Sequence, residues 1–279
     1  MVRRNRVVQD FGKEWERFHY LDSYELESLR EQFENYLEPL PDEFRRRNDL
    51  VIADFGAGTG RWAFFLKEFA SKIYAVEPAE KAFRVLENRF IGDPKVLILN
   101  ESIEFNRVPK NALDLAVSLG VLHHIQDTQE AIECIASRIK PGGLFLCYLY
   151  YSLENKSYFY QSLWRVSEIF RKIISRFPSS IKFFVTDLIA AILYFPLARV
   201  SFVLGRFGVN VDSIPLHHYK DLSFHVMRND ALDRFGTTLE KRFTQEEILQ
   251  LLISVGFTQE SIQFSKREPF WTFSAKKSL

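Results

Sequence analysis

Ala53-Asp-Phe-Gly-Ala-Gly-Thr-Gly-Arg-Trp62 is the stretch that decides the fold. The apolar run LVIADF (50–55) leads into it and reads as a buried strand. A helical pattern over 60–70 follows it. Gly56, Gly58 and Gly60 stand at every second position between the two. Glycines there let the backbone approach a ligand where a side chain would collide. The dinucleotide fingerprint needs Gly or Ala at the sixth position from Gly56, but Arg61 stands there. An NAD-dependent oxidoreductase is therefore disfavoured. Asp54, two residues before the first glycine, would repel a pyrophosphate and suits an ammonium or a ribose.

Strand and helix patterns alternate outward from that turn. IYAV (73–76), VLIL (96–99), LDLAVS (113–118) and GLFLCYLYY (143–151) read as strands. Helices are expected over 24–37, 79–90 and 128–140, the last capped by Asp127 with Glu130. Pro39 and Pro41 stop the first helix, and Pro141-Gly142-Gly143 the last. Such alternation implies a parallel sheet with helices on both faces. It resumes with a helix over 244–257, capped by a Thr244–Glu247 box and ended by Gly256. SIQF (261–264) and FWTFSA (270–275) complete the strands.

Glu77 ends the second strand, 17 residues after Gly60, and can accept hydrogen bonds from two ribose hydroxyls. Glu101 follows the third strand and could meet an exocyclic amine. Three carboxylates at neighbouring strand ends describe a cationic nucleoside better than a dinucleotide. Each could instead cap the helix that follows it.

The quoted motifs, with YAVEP (74–78), NESIEF (100–105), LDLAVSLGVLHHI (113–125) and RIKPGG (138–143), resemble the class I S-adenosyl-L-methionine (SAM)-dependent methyltransferases. The resemblance implies an α/β fold: a Rossmann-like seven-stranded sheet with helices on both faces and an antiparallel last strand. It implies SAM as cofactor and S-adenosylhomocysteine as product. Asp54, Gly56, Ala57, Gly58 and Gly60 would surround the methionine part, Glu77 and Pro78 the ribose, and Glu101 and Ser102 the adenine. Ser118, Leu119 and Gly120 would line the sulfonium side. The family often has Cys at the position of Ala57 or Asp at that of Glu77. The opening DFGKEW (10–15) resembles the Phe-Gly-x-x-Trp lid of some members, with Phe11 and Trp15 over the cofactor. The two rings could equally pack the lid onto its own domain.

The resulting division is a helical lid (1–45), a SAM-binding core (46–151), an insertion for substrate or interaction (152–243), and the end of the core sheet (244–279). The insertion starts with two aromatic-rich helices. Phe159, Leu163, Val166, Phe170, Ile173 and Phe177 mark one apolar face, and 181–205 forms a second helix interrupted by Pro196. A loop, 213–228, follows. Residues 156–182 hold six basic groups against Glu168 alone, +5 in a chain whose total is +1. A basic amphipathic helix beside an apolar one suits a membrane surface, an anionic lipid-linked sugar or a dimer interface. It would also arise if the apolar faces packed on each other with the basic face in water.

Methyl transfer needs alignment, exclusion of water and, for a hydroxyl acceptor, a base. His123 and His218 are the catalytic candidates, with Tyr150 at the end of the fifth strand. Tyr148, His217, Tyr219 and Arg228 are candidates for holding the acceptor. Each has a plain structural role open to it as well. No metal-ligand spacing is present.

Composition limits the rest. With 37 basic and 36 acidic residues, binding of nucleic acid along the whole chain is disfavoured. Cys134 and Cys147 form no CxxC pair, which fits a cytoplasmic protein. The longest uncharged apolar run, Leu188 to Ala198, is 11 residues, where a membrane span needs about 20. The protein is expected to be soluble or to lie on the inner face of a membrane through 156–208. The acceptor is expected to be a small, lipid-linked or glycan molecule. A SAM-binding regulatory or partner subunit without its own catalysis is the alternative. The 27 Phe, in a chain 47% hydrophobic, supply ample apolar surface for a core.

Overall fold

The computed structural model describes residues 29–154, 158–211, 214–266 and 271–279. These divide into two compact units, one within Met1–Asn155 and Leu239–Leu279, the other within Lys156–Thr238.

The first unit is built on seven strands: β1 (Leu50–Phe55), β2 (Ala70–Val76), β3 (Val96–Leu99), β4 (Leu113–Leu119), β5 (Ile139–Leu149), β6 (Gln263–Phe264) and β7 (Trp271–Lys276). Their order is β3-β2-β1-β4-β5-β7-β6. β1 to β5 are mutually parallel, while β7 runs antiparallel to β5 and to β6. This is the mixed seven-stranded sheet that the motifs imply.

Alternation along the strands fills both faces. Ala53, Phe55, Phe145 and Phe273 point to one side, against α5 (Thr128–Arg138) and α10 (Gln245–Ser254). Ile52, Leu115, Val117 and Leu146 point to the other, against α1 (Arg30–Leu37) and α3 (Arg61–Leu66). Phe33, Phe55, Phe65, Phe145 and Phe273 are fully buried, each contributing roughly 1.5–3 kcal/mol. Among the described residues eight of the 27 Phe are buried and six are exposed, so only part of the phenylalanine is core. α2 (Asp42–Arg45) is one turn before β1, and α4 (Glu80–Arg89) follows β2.

The caps are those read from sequence. The Asp127 side chain accepts from the Glu130 amide at 3.0 Å, and Thr244 with Glu247 forms a complete capping box. Two boundaries shift. α3 ends at Leu66, and β2 then starts at Ala70. α5 stops at Arg138, and β5 runs from Ile139 through Pro141-Gly142-Gly143. Pro141 fits this strand because pairing with β4 resumes only at Leu144.

The second unit contains α6 (Tyr158–Ile174), α7 (Ser179–Ile189), α8 (Phe195–Arg206) and α9 (Phe224–Gly236). Pro196 does not break the helix, as the sequence suggests it would. A π-helical turn, Ala190–Tyr194, joins α7 to α8. Its wider winding makes room for a ring that clashes with the carbonyl of an ordinary preceding turn. Ser179–Arg206 is therefore one helix of 28 residues, long and apolar enough by length and composition to cross a membrane. The expected loop 213–228 contains a 3-10 turn, His217–Tyr219, and the start of α9.

Candidate active site

Strand order reverses between β1, which continues to β2, and β4, which continues to β5. Ligands of open α/β sheets bind beyond the carboxyl ends of the strands at such a switch point. The glycine turn leaves β1 there, and Ser118-Leu119-Gly120 ends β4 beside it, with Asp54 in register with Val117.

The turn is held from β2. The amides of Gly56 and Ala57 donate to the Val76 carbonyl at 2.8 and 3.0 Å. Gly56, Gly58 and Gly60 all have positive φ, at 82°, 57° and 83°. A Cβ on Gly56 would lie 2.5 Å from a Val121 methyl, and one on Gly60 would meet Phe90 and Leu86 at 2.6 and 2.7 Å. Glycine is thus required at both positions by backbone conformation and by crowding.

Glu77 closes the turn. Its Oε2 accepts the Gly58 amide at 2.8 Å and its Oε1 the Ala79 amide at 2.7 Å. Asn100 donates to the Glu77 carbonyl at 2.9 Å. Burial raises the Glu77 pKa to about 7, although both amides pull it down. Asp54 is also about 7, pushed up by burial and then by the negative Glu77, against Arg61 and the Ala63 amide. Asp54 is buried, and its Oδ2 has no hydrogen-bond partner. Two acids crowded into a dry turn form a site in which a cation would be favoured.

The remaining expected cofactor contacts are spread around this centre. Ala57 and Leu119 are buried, while Pro78 and Ser102 are half-buried. The Ser118 hydroxyl donates to the Phe55 carbonyl at 3.1 Å and so ties β4 to β1. Glu101 is occupied by Arg107, pairing with its guanidinium and accepting its amide at 2.7 Å. Phe11 and Trp15 lie outside the described residues.

An aromatic group stands at the ends of β4 and β5. His123 is fully buried and stacks on Tyr150 at 3.7 Å between centroids, with Tyr148 edge-on at 6.0 Å. Tyr36 packs against Tyr148 at 5.3 Å, and the Arg242 guanidinium lies 5.1 Å over Tyr150. The segment 239–243 fixes the histidines: Lys241 donates its amide to the His123 carbonyl at 2.9 Å, and His124 Nδ1 meets the Leu239 carbonyl at 2.7 Å. Neither ring nitrogen of His123 has a partner. Burial, then His124 and Arg242, hold its pKa well below 6.5, so the ring is neutral. Tyr36 and Arg242 carry no motif that would announce them.

The other candidates lie in the second unit. Arg228 makes a paired contact with Asp187 at 3.0 and 2.9 Å. Tyr219 is buried against Tyr194, 5.2 Å between centroids. His218 packs on Tyr219 at 4.1 Å, and burial beside His217 lowers its pKa to about 4. His217 Nδ1 meets the Ile214 carbonyl at 3.0 Å. Among the described residues no group of His, Cys, Asp and Glu could hold a metal.

A family described as "Methyltransferase domain" matches residues 23–180, more than half of the chain. The chain belongs to this methyltransferase-domain family. The match runs through the glycine turn, Glu77 and His123. The chain is 40% identical over 98 residues to the mitochondrial arginine-hydroxylase NDUFAF5 of Rattus norvegicus, covering 34% of this chain and 27% of that one. It is 30% identical over 92 residues to an uncharacterized methyltransferase of Mycobacterium tuberculosis, covering 33% and 46%. The matches span less than half the length of these curated relatives. Among solved structures, the 1,6-didemethyltoxoflavin-N1-methyltransferase of Burkholderia thailandensis, with bound 1,6-didemethyltoxoflavin and S-adenosylhomocysteine, is 16% identical with a TM-score of 0.50. That match covers 88% of this chain and 78% of the other, and it establishes the class I methyltransferase fold.

Proposed function

We propose that this methyltransferase transfers a methyl group from SAM to an oxygen or nitrogen of a small, lipid-linked or glycan-linked acceptor. The observation that carries this reading is the buried, unpartnered Oδ2 of Asp54 at the switch point, beside Glu77. An ammonium there would satisfy that oxygen, and the glycine cradle admits a ligand close to the backbone. Glu77 would keep its amide bonds and offer its remaining lone pairs to ribose hydroxyls. The residues thus fit the cofactor, which when bound supplies an activated methyl on a sulfonium.

The chain's own part is alignment and drying of the site. Gly56 lets the β1 turn approach Val121 after β4, and the Tyr148–His123–Tyr150 group excludes water. A neutral His123 has an unpaired nitrogen that can accept a hydrogen bond from an acceptor hydroxyl or amine. The protein works in the cytoplasm, free or at the inner face of a membrane.

Complete burial of His123 also supports a second reading, a SAM-binding subunit without its own turnover. Thermal unfolding tests what the two share. SAM and S-adenosylhomocysteine should raise the melting temperature and NAD should not. No shift in folded protein would refute both. Release of S-adenosylhomocysteine on mixing with fractionated cell lipids and metabolites, followed by mass spectrometry, separates them.

A further inference from the structure

The unit Lys156–Thr238 buries polar groups beside an apolar cluster that includes Ile174, Tyr194, Met227 and Phe235. Arg171 and Lys182 are buried, at 5% and 4% exposure, as are Thr186, Ser201 and Asn229. The charges are satisfied within the unit. Arg171 pairs with Glu168 and donates to the Thr237 carbonyl at 2.8 Å. Arg234 reaches Glu168 at 3.3 Å, and Arg228 holds Asp187. Arg199 donates to the carbonyls of Lys220 and Leu222, at 3.1 Å each. These bonds tie α6 to α9, α7 to α9, and α8 to the segment before α9.

The outer faces are apolar. Of 22 large apolar side chains exposed among the described residues, 16 fall between 158 and 209, so the exposure is concentrated in this unit. On α7 and the π turn, Phe184 is 68% and Ile192 67% exposed. Only 22% of the most apolar stretch of Ser179–Arg206 is buried, which a core helix would not show. On α6, Val166, Ile169, Phe170 and Ile173 are exposed. Charge supplies the second observation. Across Tyr158–Arg206 the exposed charged side chains are Arg165, Lys172, Arg176 and Arg206, all basic. Both acids of that span, Glu168 and Asp187, are drawn inward by arginines.

We infer that α6 and the α7–α8 helix dock on an anionic lipid surface, lying in the plane of the interface. An apolar face with basic residues beside it sinks into the boundary of headgroups and acyl chains, its Lys and Arg reaching the phosphates. Lying flat rather than crossing follows from α6. Arg165 and Lys172 alternate along it with Val166, Ile169 and Ile173, so a crossing α6 would carry cations into hydrocarbon. The surface fixes one of the two locations in the functional reading above and is independent of methyl transfer.

The test is flotation of the full chain with vesicles of phosphatidylcholine alone or mixed with phosphatidylglycerol. The wild type should float with the mixed vesicles only and be released by alkaline carbonate. Phe184→Ser with Ile192→Ser should abolish flotation. Arg165→Gln, Lys172→Gln and Arg176→Gln together should weaken it about a hundredfold, at about fivefold per charge. Equal flotation on both vesicle types, or none on either, overturns the inference. Resistance to carbonate overturns it in favour of a crossing helix. A dimer in solution that the Phe184/Ile192 variant splits, without flotation, overturns it in favour of a second copy. The SAM-dependent rise in melting temperature, read on the same preparations, reports the cofactor site separately. Flotation without that rise would refute methyl transfer and leave the docking face standing.

Discussion

The carboxylate of Glu77 holds the amide of Gly58 at 2.8 Å, so the acid ending β2 fixes the conformation of the turn that leaves β1. The same carboxylate takes the Ala79 amide at 2.7 Å. Glu77→Ala therefore removes the acceptor of two buried donors, each costing about 1–3 kcal/mol when unpaired. We expect a lower melting temperature in the free protein and weaker SAM binding by calorimetry. Unchanged stability would show that water replaces the carboxylate. Unchanged affinity would remove Glu77 from the ribose site.

Asp54 and Glu77 make stability depend on pH in an unusual direction. Both pKa values rise on folding, from 3.8 and 4.5 to about 7. The folded chain therefore holds protons that the unfolded chain releases between those values, and stability falls as pH rises through that window. Asp54→Asn should flatten the fall and raise the melting temperature above neutrality. A cationic ligand favours the ionised acids, so stabilisation by SAM should be larger at about pH 8 than at about pH 5. Thermal melts across that range, with and without SAM, check both signs.

Gly56 and Val121 define how closely the β1 and β4 turns approach. Gly56→Ala places a methyl 2.5 Å from a Val121 methyl and also forces an L side chain to φ +82°. Overpacking of this kind costs roughly 1–3 kcal/mol, and the backbone conformation adds about 1 kcal/mol more. Val121→Ala in the same chain should recover the first contribution and leave the second. A double-mutant cycle by denaturant unfolding should therefore show a favourable coupling of partial size. Strict additivity would mean that the two turns move apart instead.

The sheet was legible because its strands bury alternate residues on two apolar faces, as at Ile52 and Ala53. The caps at Asp127 and Thr244 were legible because they are local. The helix α9 was not. It buries Met227, Ala231 and Phe235 against Ile174, Ala190, Tyr194 and Ala198, but the Arg, Asn and Asp residues between them dilute that stripe in the sequence. On α6, Leu163, Val166, Phe170 and Ile173, an apolar face by spacing, turn outward. In the site, the glycines and Glu77 follow from motif and spacing. The capture of Glu101 by Arg107 and the approach of Tyr36 to Tyr148 depend on tertiary placement, which spacing does not encode.

His123 offers the sharpest separation of function from packing. It is fully buried with both ring nitrogens unpartnered, an arrangement that costs stability unless something uses it. His123→Phe keeps a ring to stack on Tyr150 and removes the unpaired polar atoms. A group kept only for packing would make this change neutral or stabilising, with methyl transfer unaffected. A group kept to receive the acceptor would give a stable protein that binds SAM normally and loses turnover by roughly a hundredfold or more. Because the pKa of His123 lies well below 6.5, the wild-type rate should show no inflection from this ring near neutrality. Melting temperature, SAM affinity and release of S-adenosylhomocysteine, measured on one preparation, distinguish the outcomes. Full turnover in the variant would move the acceptor contact to another residue.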